Sequence, residues 1–234
     1  MRSGPDRPIS SYGRRRGRPL RAGRAALLDE VLPRLTVPAP APGTRLDPRS
    51  LFAFAPQAVW LEIGFGAGEH LAAQAEAHPD IGLIGAEPYI NGIASLLARV
   101  HEAGLANIRI WPDDIRLLLP ALPAASIARV FVLFPDPWPK ARHHKRRLIA
   151  PPFLDALARI MAPKAELRFA TDDPGYLEWA VERFAAHAAF AALTPRPADW
   201  QVRPADWPGT RYEAKGLAGH PPAFLRFRRR AERP

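Results

Sequence analysis

Val59-Trp60-Leu61-Glu62-Ile63-Gly64-Phe65-Gly66-Ala67-Gly68-Glu69 decides the fold. A mostly apolar run, 59–63, stops at a turn carrying three alternating glycines, and a helix-length stretch, 69–78, takes over at once. A buried strand that turns directly into a helix is the opening unit of an α/β sheet. Glycines in alternation permit a tight turn and let a ligand lie against the backbone. The same exchange of patterns recurs downstream. Strands are predicted at 82–86, 108–111, 127–134 and 166–170, and helices at 89–103, 148–161 and 175–186. That alternation specifies a doubly wound, mostly parallel sheet with helices on both faces. Residues 190–193 and 223–228 are two further strand candidates, read as an antiparallel edge. The Pro/Trp-rich excursion between them, 195–222, is too long for an idle connection.

Upstream of this unit the pattern changes. Ala25, Leu27, Leu28, Val31, Leu32 and Leu35 form an amphipathic stretch, read as a short docking helix. Prolines 38, 40, 42, 48 and 56 then make a linker, so 25–57 precedes the main domain at 58–234. Residues 1–24 hold eight Arg and one Asp, a charge of +7 within a chain total of +10, and read as a flexible basic arm. Further basic runs lie at 140–147 and 226–233. Local clusters of this sign point to a polyanion, most commonly nucleic acid. Cysteine is absent from the 234 residues, which removes disulfides, cysteine-ligated metal and any thiol nucleophile. No apolar run is long enough to span a membrane. Arg14-Arg15-Arg16 lacks the apolar segment of an export signal, so a cytoplasmic location is expected.

In a sheet of this kind the ligand lies beyond the carboxyl ends of the strands. Those ends carry acids. Glu62 closes the first strand ahead of Gly64 and Gly66, and Glu69 stands where a dinucleotide fingerprint would complete its third glycine. An acid there disfavours a pyrophosphate at the helix N-terminus and favours a cationic nucleoside such as S-adenosylmethionine. Glu87 ends the second strand and suits acceptance from two ribose hydroxyls. Asp113-Asp114 ends the third, where one carboxylate would accept the adenine amino group and the other cap a helix.

The fourth strand runs into Phe134-Pro135-Asp136-Pro137-Trp138-Pro139-Lys140-Ala141-Arg142-His143-His144-Lys145-Arg146-Arg147. Three prolines in five residues stiffen the backbone and fix one carboxylate, Asp136, and one indole, Trp138. A base can stack on the indole while the basic run holds phosphates. His143 and His144 lack a third ligand at metal-like spacing, and no metal is expected. The fifth strand ends at Thr171-Asp172. Thr210-Arg211-Tyr212-Glu213, inside the excursion, reads by composition as a turn.

Together, the 62–69 string, the 134–147 string, Ala170-Thr171-Asp172 and T-x-Y-E at 210–213 resemble the bacterial tRNA (guanine-N7-)-methyltransferases. The arm segment 13–18 resembles theirs as well. The resemblance spans nearly the whole chain and implies a Rossmann-like domain dependent on S-adenosylmethionine, with tRNA as partner and no protein partner. By it, Glu62, Gly64, Gly66, Glu87, Asp114 and Asp136 bind the methyl donor or shape its site, with Asp114 favoured over Asp113. Asp136 is implied as the catalytic residue. Lys140, Asp172, Thr210, Arg211, Tyr212 and Glu213 are implied to contact the guanosine of the variable loop. Arg142, His143, His144, Lys145, Arg146 and Arg147 are implied to contact tRNA. Guanine N7 has an in-plane lone pair and no proton, so positioning and electrostatics suffice for its methylation. Two other readings stand beside this one: a nicotinamide-dependent oxidoreductase, and an RNA-binding protein without catalysis.

Overall fold

The computed structural model describes residues 12–209, 213 and 219–231. Seven strands, β1 (Ala58–Ile63), β2 (Ile81–Ala86), β3 (Ile108–Trp111), β4 (Ile127–Leu133), β5 (Met161–Thr171), β6 (Phe190–Ala192) and β7 (Ala223–Arg229), form one sheet. Their order is β3-β2-β1-β4-β5-β7-β6. Strands β1 to β5 are parallel, while β7 runs antiparallel between β5 and the short outermost β6.

The helices are α1 (Ala22–Glu30), α2 (Leu32–Leu35), α3 (Glu69–Ala77), α4 (Ile90–Ala103), α5 (Ile115–Leu118), α6 (Pro151–Ile160) and α7 (Pro174–Ala186). Side chains alternate across each strand, so the sheet builds a core on either face. On one face Trp60 and Phe131 pack with Leu71 of α3 and Ile93, Leu96 and Leu97 of α4. On the other, Leu61, Ile63 and Val130 meet Leu118 of α5, Phe153 and Leu157 of α6 and Phe184 of α7. Among the described residues no helix is long and apolar enough to cross a membrane.

Two boundaries differ from the sequence pattern. The helix expected from 148 begins at Pro151, whose fixed φ and missing N–H suit a first helical turn. It passes directly into β5, which starts five residues before the expected 166. Met161 there is fully buried and pairs with Ile127, but exposed Pro163 and Lys164 interrupt the apolar pattern behind it.

The amino-terminal region is also more integrated than its composition suggested. Helix α1 already begins at Ala22, and its Leu27 and Leu28 pack against the core face that α4 helps to build. Beyond α2, the Val37 N–H donates to the Ile110 carbonyl at 2.8 Å and Thr36 bridges Ile110, which covers the free edge of β3. Ahead of α1, residues 12–21 do not stand free. The Ile90 N–H donates to the Arg15 carbonyl (3.0 Å), the Gly17 N–H to Asn91 Oδ1 (2.9 Å), and Asn91 Nδ2 to the Arg18 carbonyl (2.7 Å). The segment therefore lies across the start of α4.

The excursion after β6 is pinned from beneath. Arg168 on β5, buried, donates both terminal nitrogens to the Asp206 carboxylate at 2.9 and 2.7 Å. Trp207 is buried beside it, and Gln74 of α3 donates to the Asp206 carbonyl at 2.6 Å. Burial alone would raise the Asp206 pKa, but hydrogen bonds and charge from Arg168, with Arg129, hold it below the usual carboxylate range. Asp206→Asn should cost about 2 kcal/mol at neutral pH, less than a fully buried pair because Asp206 is half-exposed. A depressed pKa contributes stability above the unfolded value and loses it as pH falls. The gap between wild type and variant in urea unfolding should therefore narrow from about pH 5 toward about pH 3. A gap that stays constant over that range would show that the Asp206 charge contributes nothing to it.

Candidate active site

Strand order reverses around β1, which has β2 on one side and β4 on the other, and a crevice opens where their carboxyl ends part. It holds a cavity of about 480 Å³, within the usual range for small-molecule sites. Gly64 and Gly66 form its floor at φ 74° and 55°, a region costly for side chains, and the space where a Cβ would project is open at both.

Glu87 stands at the wall. Its Oε2 accepts the Gly66 N–H at 2.8 Å and its Oε1 the Tyr89 N–H at 2.9 Å. Burial raises its pKa, the two backbone bonds oppose this, and the negative charges of Asp136 and Glu62 add to the rise. Glu62 does not line the cavity. It is buried behind the glycine turn, with Oε2 at 2.7 Å from Nδ1 of His70 on α3. Glu69 does not line the cavity and pairs with Arg99 at 3.2 Å. The acids that line the cavity are Glu87, Asp113, Asp114 and Asp136.

Asp114 caps α5 and takes Arg116 on both oxygens, Nε at 3.0 Å and a terminal nitrogen at 2.6 Å. Burial alone would raise its pKa, but Arg116, with the charge of Arg15, holds it low. Asp113 pairs with Arg15 of the amino-terminal segment and accepts the Asp114 N–H at 2.7 Å. Both acids reach the cavity.

The proline-rich loop after β4 completes the wall with Asp136 and Trp138. Phe134 and Trp138 adopt φ 51° and 46°, conformations that bulky residues avoid. Such outliers persist only where their surroundings over-determine them. Here the Phe134 N–H donates to the Ala170 carbonyl at 2.8 Å, and Arg147 Nε donates to the Pro137 carbonyl at 2.8 Å. Arg147 corrects the sequence reading. It was expected on the RNA-facing surface, yet it is buried, also donates to the Gly175 carbonyl, and braces the loop from within. Lys140 is exposed at the start of the 3₁₀ turn Ala141–Arg146, whose Arg142 and Lys145 are exposed and whose His143 and His144 are half-buried. Partial desolvation and the surrounding cations lower the His143 pKa. Asp172 follows β5 on the same edge of the sheet.

Thr210, Arg211 and Tyr212 lie outside the described residues. Glu213 is paired with Arg203 at 2.7 Å. Tyr12, Gly13 and Arg14 also line the cavity, and Arg146 turns into it, placements that no motif in the sequence marks. Tyr12 is the one aromatic residue among the first 24, the only mark that separates this stretch from a solvated tail.

Residues 56–224 match the family described as putative methyltransferase. A tRNA (guanine-N(7)-)-methyltransferase of Rhodospirillum rubrum is 54% identical over 97% of this chain and 91% of its own length. One of Paramagnetospirillum magneticum is 54% identical over 94% and 92%. Among solved structures, a 16S rRNA methyltransferase, KamB, superposes with TM-score 0.51 at 17% identity, covering 78% of this chain and 91% of that one. A SAM-dependent O-methyltransferase of Thermotoga maritima does so with TM-score 0.51 at 13% identity, covering 76% and 62%. These two likenesses carry the fold, which is that of S-adenosylmethionine-dependent methyltransferases. The relatives carry more, because they are 54% identical over 94% or more of this chain, and on that ground the chain belongs to the tRNA (guanine-N(7)-)-methyltransferase family.

Proposed function

We propose that this enzyme transfers the methyl group of S-adenosylmethionine to N7 of a guanine in tRNA, in the variable loop, and does so in the cytoplasm. The observation that carries this reading is the placement of Asp136, on a strained and braced loop, at a cavity floored by glycines and walled by acids. When bound, S-adenosylmethionine supplies an electrophilic methyl on a cationic sulfur. The open glycine floor and buried Glu87 suit it, and a ring of carboxylates suits its charge.

Glu87 accepts from the ribose hydroxyls through lone pairs left beside its two backbone bonds. The Asp113–Asp114 pair, Asp114 foremost, accepts the adenine amino group. Glu62 acts through its charge behind the turn. N7 needs no general base, so the contribution of Asp136 is electrostatic: a fixed carboxylate beside a purine that becomes positive. Lys140 donates to O6, and Asp172, with the 210–213 segment, accepts from the N–H edge of the base. Arg142, His143, His144 and Lys145 face the RNA backbone, and Arg146 stands beside them at the mouth of the cavity. A methyl-transfer assay on unmodified tRNA, with 7-methylguanosine identified in the digest, tests the reading directly.

Asp136→Asn should lower turnover on tRNA about a hundredfold or more, with the fold intact by circular dichroism. Near wild-type turnover would remove Asp136 from the catalytic role.

Glu87 links affinity to pH. Ribose hydroxyls favour the ionised carboxylate, and its pKa is raised in the free protein, so binding expels a proton in mild acid. S-adenosylmethionine affinity should fall as the pH is lowered toward the Glu87 pKa, with the fall beginning above the ordinary carboxylate range. In Glu87→Gln the binding should be weaker throughout and this fall absent. Calorimetric titrations across the range decide it, and a variant that retains the full pH dependence would assign it to another acid.

A further inference from the structure

At the mouth of the cavity Tyr12, Trp138 and Arg146 form a corner whose two rings the proposed reaction has not yet used. Tyr12 and Trp138 meet edge to face, with ring centroids 6.2 Å apart at 74°. The Arg146 guanidinium carbon lies 4.6 Å from the Tyr12 centroid and 4.9 Å from that of Trp138. Arg146 Nε is buried with no hydrogen-bond partner, and among the described residues no carboxylate pairs with this side chain. A planar cation is thus held by two aromatic rings in place of an acid. All three residues line the cavity that also holds Asp136.

The proposed reaction makes a second planar cation at this place. The N7 lone pair forms a bond to the methyl carbon as the carbon–sulfur bond breaks and its electron pair stays on sulfur. No proton leaves N7, so the positive charge passes from sulfur to the purine. Aromatic faces attract such a cation, and more strongly when water is excluded. We propose that Tyr12 and Trp138 are the receptor for the guanine as it becomes cationic, and that Arg146 holds their place in the free protein. Tyr12 thereby becomes a substrate-contacting residue supplied by the basic arm. The inference rests on the guanine-N7 reading.

The geometry separates this role from simple docking of the arm. Arg15 pairs with Asp113 and accepts from Ile90, and Gly17 bonds to Asn91, all without the Tyr12 ring. Gly17 also passes so close to the Tyr89 hydroxyl that any Cβ there would collide with it. The arm thus stays seated in a Tyr12 variant.

The test compares Tyr12→Phe, which keeps the ring, with Tyr12→Leu, which keeps the bulk without it. In single-turnover reactions at saturating tRNA and S-adenosylmethionine, Tyr12→Phe should stay within about twofold of wild type and Tyr12→Leu should slow about tenfold. S-adenosylmethionine affinity should be unchanged in both. In competition on protein loaded with S-adenosylhomocysteine, wild type should prefer tRNA carrying cationic 7-methylguanosine to unmodified tRNA, and Tyr12→Leu should lose that preference. A Tyr12→Leu rate equal to wild type, an equal defect in Tyr12→Phe, or a preference that survives in Tyr12→Leu would each overturn the inference. So would a Tyr12→Leu variant that loses S-adenosylmethionine affinity, because the ring would then serve only to seat the arm. Wild type that forms no 7-methylguanosine would instead refute the guanine-N7 reading itself.

Discussion

One carboxylate holds the site in register. The two oxygens of Glu87 bond the N–H groups of Gly66 and Tyr89, and so tie the turn after β1 to the residue that opens α4. The same start of α4 receives the amino-terminal segment through Ile90 and Asn91. Floor, wall and covering segment therefore share a single anchor. Burying a carboxylate among other acids is costly, and two charge-assisted bonds to fixed backbone donors offset part of that cost. What remains appears as a raised pKa, a reserve that a ligand donating to Glu87 can draw upon.

The opposite wall depends on stiffness. Phe134 and Trp138 each occupy a conformation that costs on the order of 1–3 kcal/mol. Prolines on both sides of Asp136 remove the alternatives, and Arg147 closes the loop from inside through the Pro137 and Gly175 carbonyls. The result is a carboxylate whose backbone is set before any substrate arrives, which is the condition for electrostatic preorganisation.

The strands and the acids at their ends were legible because each leaves a mark in side-chain type. A buried parallel strand must be apolar, and Glu87 or Asp136 breaks that run where the strand stops. The arm's place was not legible, since it docks largely through backbone groups, the Arg15 and Arg18 carbonyls and the Gly17 N–H, which leave no mark in side-chain type. Composition likewise cannot separate Arg147 from Arg142. Both sit in one basic run, and only packing beneath Trp179 and Tyr176 turns Arg147 inward. Glu62 was recognised as important without its partner, because His70 is eight residues away and meets it only once α3 folds back on β1.

The covering of β3 by Thr36 and Val37 bears on how the chain is made. Helix α1 leans on α4, and Val37 bonds to Ile110, so residues 22–37 settle only after Trp111 has emerged from the ribosome. Until then an apolar stripe, Leu27, Leu28, Val31 and Leu35, lacks the core face it packs on. Synthesis of the sheet thus sets the clock for its amino-terminal covering. A pause in translation ahead of β3 lengthens the interval in which that stripe is exposed to other chains.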